Sequence, residues 1–243
     1  MNENNDQKII DSYLAYLADR DFPCVAAREA VARQQVDCYV ATHMACPHDD
    51  TRMLEFLYKF IDTYRKEKNM FHSAAIIFKE PKIQDERMFD RFMWQRLQAI
   101  SDLDASMYNY DKRVQSDPSH AGFSFSLKEE ALFILGLHPA NNRSSRQFPY
   151  AVLAFNPHDQ FEQMRAHGQY EKMKNIVRKR EIALSGSVNP MLDDFGKSSE
   201  VFQYSGRQYD KEWQCPLNIK HGATQHHSSP ERSSFPLEER SAS

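Results

Sequence analysis

Two histidines and two arginines that could act together stand in one short stretch. In "ALFILGLHPANNRSSRQFPYAVLAFNPHDQF", residues 131–161, His138 follows one apolar run and His158 another, with Arg143 and Arg146 in the polar loop between them. Imidazole is an acid–base group near neutral pH and a metal ligand. Guanidinium grips carboxylate or phosphate with two prongs. A loop of Asn141, Asn142, Arg143, Ser144, Ser145 and Arg146 after the strand-ending His138–Pro139 is therefore a candidate seat for an anionic ligand or the acidic edge of a cofactor. The ordinary alternative for His138 is a turn histidine bonding a backbone carbonyl. For His158 the positive helix end disfavours imidazolium and leaves a neutral ring able to ligate metal, and the ordinary alternative is a surface histidine at a helix start. If 131–137 and 151–155 pair as a hairpin, strands of that length hold the two rings about 17–20 Å apart. At most one of them then binds a given metal ion.

Cysteines are the other donors. Cys24, Cys38, Cys46 and Cys215 form no CxxC pair, which argues against a zinc knuckle or a thioredoxin-like dithiol. Cys24, Cys46 and Cys215 each neighbour a proline. Such dipeptides sometimes contact heme, although a buried thiol more often packs as a small hydrophobe. There is no GxGxxG, no GxxxxGK[ST] and no GxSxG, so standard dinucleotide, P-loop and nucleophile-elbow sites are not expected.

The elements that must position these residues follow from periodicity. Helical spacing covers about 6–19, the alanine-rich "VAAREAVARQQ" from Cys24 onward, 48–68 with capping candidates Asp49, Asp50 and Thr51, and 85–104. "VDCYVAT" and "HSAAIIF" read as strands, and "GFSFSL", "ALFILGL" and "YAVLAF" as three more whose short connections favour antiparallel pairing. One long helix is expected over 156–183, with Asn156 as its N-cap and Pro157 in its first position. From 185 the chain reads as coil and turns with Trp213 as a possible anchor, and 219–243 as a disordered polar tail. The fold class is α+β: a single domain, 1–218, with a mainly antiparallel central sheet covered by helices.

Composition agrees. The 243 residues are 41% hydrophobic and 27% charged, as in an ordinary globular protein. A net charge of -3 supplies no basic field for nucleic acid or anionic membrane, and the basic run "RKRE" at 178–181 reads as a solvated helix face. No run is long and apolar enough for a membrane span, and the first residues lack signal-peptide order. A cytoplasmic protein with reduced thiols is the expectation.

Several blocks in order, "DFPCVAA", "GFSFSL", "GLHPANNRSSRQFPY", "FNPHDQFEQMR", "IVRKREIALSGSVNPMLDDFG" and "QYSGR" before "WQCP", resemble the YqcI/YcgG family from about Asp21 to Pro216. The resemblance, which extends to relatives such as the heme-dependent pre-guanitoxin N-hydroxylase, implies a heme-dependent oxygenase. Such a monooxygenase would N-hydroxylate a guanidino or amino group of a small molecule in specialised metabolism. It would use heme b, dioxygen and an external electron donor, a reductase or ferredoxin. A non-catalytic heme-binding or heme-sensing protein is the alternative. Heme needs one axial ligand, an open face for oxygen and cations near its propionates. His138 is the first choice of iron ligand, then His158, then Cys24, whose thiolate would favour O–O cleavage. Arg143 and Arg146 would pair with the propionates. Asp193, Asp194 and Glu200 are candidates for holding a cationic substrate.

Overall fold

Alternating burial along the strands sets the architecture. In a computed structural model that describes residues 3–191 and 196–221, β1 (Val36–His43), β2 (Ser73–Glu80), β3 (Phe125–Leu127), β4 (Glu130–Leu137) and β5 (Ala151–Pro157) form one sheet in the order β1-β2-β5-β4-β3. β1 and β2 run parallel, which requires the long crossover through α3 (Asp50–Glu67). Each remaining neighbouring pair is antiparallel, as expected.

Successive side chains point to opposite faces. On β2, Ala74, Ile76 and Phe78 join one core while Ala75 and Ile77 join the other. The first face is closed by α3 and by α4 (Glu86–Ala105), through Leu57, Phe60 and Ile61 of the former and Phe89, Met93 and Leu97 of the latter. Full burial of such a side chain contributes about 1.5–3 kcal/mol. The second face is covered in part by α1 (Glu3–Ala18), whose Ile9, Tyr13 and Leu17 lie on Ile77 and Val152. α2 (Val25–Ala32), α5 (His158–Ala166) and α6 (Tyr170–Ser185) border the rest of that face. Among the described residues no helix is long and apolar enough to cross a membrane.

Four expectations need correction. The helix expected over 156–183 is two helices, because Gly168 at φ 66° turns the chain left-handed between them. Asn156 is not its N-cap: it stays in the ladder opposite Phe133, so β5 runs through Pro157 and the helix begins at His158. Only 125–127 of "GFSFSL" is strand. The stretch read as coil holds one helical turn, α7 (Val201–Tyr204). At the start of α3, Asp49 stands at the N-cap as expected, but its side chain bonds no helix amide. Its Oδ2 instead accepts from the Thr42 amide at 2.7 Å and the Thr42 hydroxyl at 2.5 Å, tying the helix to β1. Asp193, Asp194 and most of the expected tail lie outside the described residues.

Gly136 shows how tightly the first face packs. A Cβ there would meet Phe89 Cε1 at 2.5 Å and Cζ at 2.6 Å. Gly136→Ala is expected to destabilise the fold by about 1–3 kcal/mol, the usual penalty for overpacking. Urea unfolding, read as a lower midpoint at unchanged slope, checks it.

Candidate functional site

α1 leaves the β4–β5 half of the second face uncovered, and a cavity of about 340 Å³ lies there. Phe133, Leu135, Leu137 and Ala154 form its floor. The small side chains of Ala27 and Ala30 let α2 approach as one wall, and α5 and α6 supply the others.

Cys24 stands on this cavity as the N-cap of α2, its sulfur accepting the Ala27 N–H at 3.4 Å. Burial pushes the thiol up, opposed by the amides of Ala27 and Ala26, so the protein alone holds a neutral thiol. Helix amides around a sulfur favour its anion once a cation is present.

Arg143 and Arg146 both line the cavity from the turn that follows β4. That turn is fixed by the His138 N–H donating to Arg146 O at 3.0 Å and the Arg146 N–H donating to Arg143 O at 2.9 Å. Arg143 is neutralised: its Nε donates to Glu181 Oε1 at 2.8 Å, its Nη2 lies 2.6 Å from the same oxygen, and it also donates to Ser187 O. Ser145 Oγ donates to Glu181 as well, at 2.9 Å. Arg146 differs. Its Nη1 donates to two carbonyls, Gln203 O at 2.8 Å and Tyr204 O at 3.2 Å, and among the described residues it forms no ion pair. Burial pulls its pKa down to about 10, opposed by the nearby Glu181 carboxylate and helped by Arg143, so it remains charged at neutral pH.

His158, the first residue of α5, also lines the cavity. Its Nδ1 lies 3.4 Å from Glu200 Oε1 and its Nε2 3.3 Å from Glu162 Oε1, so both ring nitrogens face carboxylates. Glu200 is buried on the same cavity and accepts from Tyr204 OH at 3.2 Å.

His138 does not join them. It is buried against α4 with its ring stacked on Phe89, centroids 4.3 Å apart. Asn141 Nδ2 lies 3.1 Å from Nε2, which makes Nε2 the acceptor and places the proton on Nδ1, a buried atom without a hydrogen-bond partner. Thus Cys24, Arg143, Arg146 and His158 share one cavity, and His138 packs elsewhere. Among the described residues no three His, Cys, Asp or Glu side chains converge as a ligand set for a bare ion. The sequence reading missed Glu181. It ends the basic run taken as a solvated face, and its position on the cavity side becomes visible only once α6 starts at Tyr170.

Burial lowers the His138 pKa from 6.5 to about 4, with Arg146 adding to the shift. The folded state therefore resists a proton that the unfolded chain accepts. His138's contribution to stability is complete above pH 6.5 and falls as pH drops toward about 4, by roughly 3 kcal/mol in all. Denaturant curves across that window should show wild type losing this much more than His138→Gln.

Residues 13–218 match the model described as the YqcI/YcgG family. Among curated proteins, the uncharacterized protein YqcI of Bacillus subtilis (strain 168) is 26% identical over 212 residues, which cover 82% of this chain and 81% of that one. No solved structure matches. The matched span runs from Tyr13 in α1 to beyond Cys215 and takes in the whole sheet and every side chain of the cavity described above. The chain belongs to the YqcI/YcgG family.

Proposed function

We propose that the cavity binds heme b and that the chain is a heme-dependent oxygenase acting on a guanidino or amino nitrogen of a small molecule. The observation that carries this reading is the pairing on one apolar cavity of the Cys24 sulfur, seated on helix amides, with the Arg146 guanidinium, which forms no ion pair among the described residues. Heme is a flat apolar ring with two carboxylates and asks for one axial donor, apolar walls and cations. The residues present meet each demand. Bound heme would supply the iron at which dioxygen is activated, with electrons from an external donor such as a reductase or ferredoxin, and a thiolate ligand promotes O–O cleavage.

The geometry favours Cys24 over both histidines as the donor. The nitrogens of His158 lie 3.3 Å from Glu162 and 3.4 Å from Glu200, and His138 faces α4 under Phe89. The Ala27 N–H would steady the negative sulfur after its proton leaves. Arg146, with Arg143 beside it, would pair with the propionates. Glu200 is the carboxylate on which the cationic nitrogen of a substrate would sit, with His158 Nδ1 3.4 Å away on the α5 side.

Protein supplied with iron and heme precursor should be coloured and give a positive pyridine hemochrome. Its ferrous–CO band should stand at the red-shifted thiolate position, and Cys24→Ala should move it, whereas His138→Ala should not. Arg146→Ala should keep the band and weaken heme retention by the loss of a charge-assisted hydrogen bond, about 1.5–3 kcal/mol, or roughly 10- to 150-fold in Kd. A colourless preparation defeats the reading. Heme without hydroxylated product, given reductant and dioxygen, leaves a heme-binding or sensing protein instead.

A further inference from the structure

Aromatic rings form a continuous line from the cavity to the surface, and all beyond the first are oxidisable tyrosines or tryptophans. Phe133 on the cavity floor meets Tyr204 edge-on, centroids 5.9 Å apart. Tyr204, fully buried, lies 6.1 Å from Trp94, which is 5.9 Å from Trp213. Trp213 stacks on Tyr209 at 3.8 Å, and both of these rings are partly exposed.

Core packing by itself would account for the rings. It does not account for their polar atoms, since three of the four rings donate to a buried carboxylate. Tyr204 OH donates to Glu200 Oε2 at 3.2 Å, Trp94 Nε1 donates to Asp90 Oδ1 at 2.9 Å, and Tyr209 OH donates to the same Asp90 oxygen. A phenol loses an electron readily only when its proton can leave at the same time, and a carboxylate at hydrogen-bonding distance receives that proton. Spacing and proton acceptors coincide at Tyr204, Trp94 and Tyr209.

We propose that Tyr204, Trp94, Trp213 and Tyr209 carry oxidising equivalents out of the cavity when an oxidant forms there without substrate. The inference rests on the heme reading for the source of that oxidant. Tyr204 gives one electron to the oxidant and its phenolic proton to Glu200. Trp94 gives an electron to the Tyr204 radical, which takes its proton back from Glu200. Tyr209 refills Trp94 through the stacked Trp213, passing its own proton to Asp90. A thiol in solution then returns an electron to Tyr209, which recovers the proton from Asp90, and the thiol releases its proton to water. Each cycle reduces the oxidant by one electron at the expense of one thiol. The direction is outward, because these rings transmit oxidation and are not reduced by the electrons of a donor protein.

The test loads the full chain with heme, verifies loading by its Soret band and hemochrome, and adds hydrogen peroxide with a nitroso spin trap and no substrate. A tyrosyl signal in electron paramagnetic resonance and trap adducts on Trp213 or Tyr209, located by mass spectrometry, are expected. Trp94→Phe, loaded and folded as judged by Soret band and circular dichroism, should bring the surface adducts to the level of the peroxide-free control. Oxidation should then move to the cavity methionines Met164 and Met173. Loaded wild type without surface adducts, or Trp94→Phe with unchanged adducts, overturns the relay alone. A missing Soret band sinks the relay together with the heme reading.

Discussion

The cavity exists because α6 is held by polar contacts and not by an apolar face. None of its residues is fully buried, so hydrophobic burial, which secures α3 and α4, contributes little here. Glu181 carries the load instead. Arg143 and Ser145 both converge on its carboxylate, and Arg143 continues to Ser187 O just past the helix. Arg180, one residue earlier, donates to Arg20 O and to Phe22 O at 3.2 Å, beside Cys24. A helix fastened by its charged side chains stands off the sheet, and Ala154 and Leu135 beneath it are left facing open space. Breaking a largely buried ion pair leaves one charge without compensation, which costs more than the pair's net contribution. Glu181 therefore holds both the loop after β4 and the roof of the cavity.

A second consequence is electrostatic. Glu181 forms its ion pair with Arg143 and acts on Arg146 only through space. Arg146 is left with carbonyl oxygens at the end of α7, and its approach depends on Gly206. At φ 82° that residue adopts a conformation open to glycine, and a Cβ would lie 2.8 Å from Asn141 Nδ2 and 2.9 Å from Arg146 Cδ. The glycine of "QYSGR" is thus explained by the guanidinium that passes it. A buried cation that burial and Arg143 act against, and that Glu181 supports only through space, is a feature that an anionic ligand would stabilise.

Much of the fold was legible because local periodicity and tertiary packing agree. Met53, Leu57, Phe60, Ile61 and Tyr64 fall on one side of α3 in sequence and in the core. β4 and β5 pair as their apolar runs and short connection require, and the hairpin separates His138 from His158 as expected. What could not be read depends on distant partners. The preference for His138 rested on its neighbours in the loop, but the face it occupies is set by strand parity, which places it with Leu132, Ile134 and Gly136 toward Phe89 on α4. Cys24 and Arg146 lie more than a hundred residues apart, and nothing in the spacing of either segment shows that they border one space. The break between α5 and α6 was indicated by Gly168, yet the helical pattern on both sides of it masked the turn.

Cys24 and Arg146 also place complementary demands on whatever occupies the cavity. The thiol's pKa is raised by burial although helix amides are ready to receive its anion, so a cation that enters with the ligand would favour its deprotonation. The guanidinium forms no ion pair among the described residues and feels Glu181 only through space, so an anion that enters with the ligand would stabilise it. A simple anion would satisfy Arg146 and leave the sulfur protonated. A bare cation would meet the sulfur and be repelled by the guanidinium. Under the proposed reading a single ligand answers both, a metal centre at the sulfur and carboxylates at the edge of a flat apolar ring, while the floor of Phe133, Leu135 and Leu137 matches the ring between them.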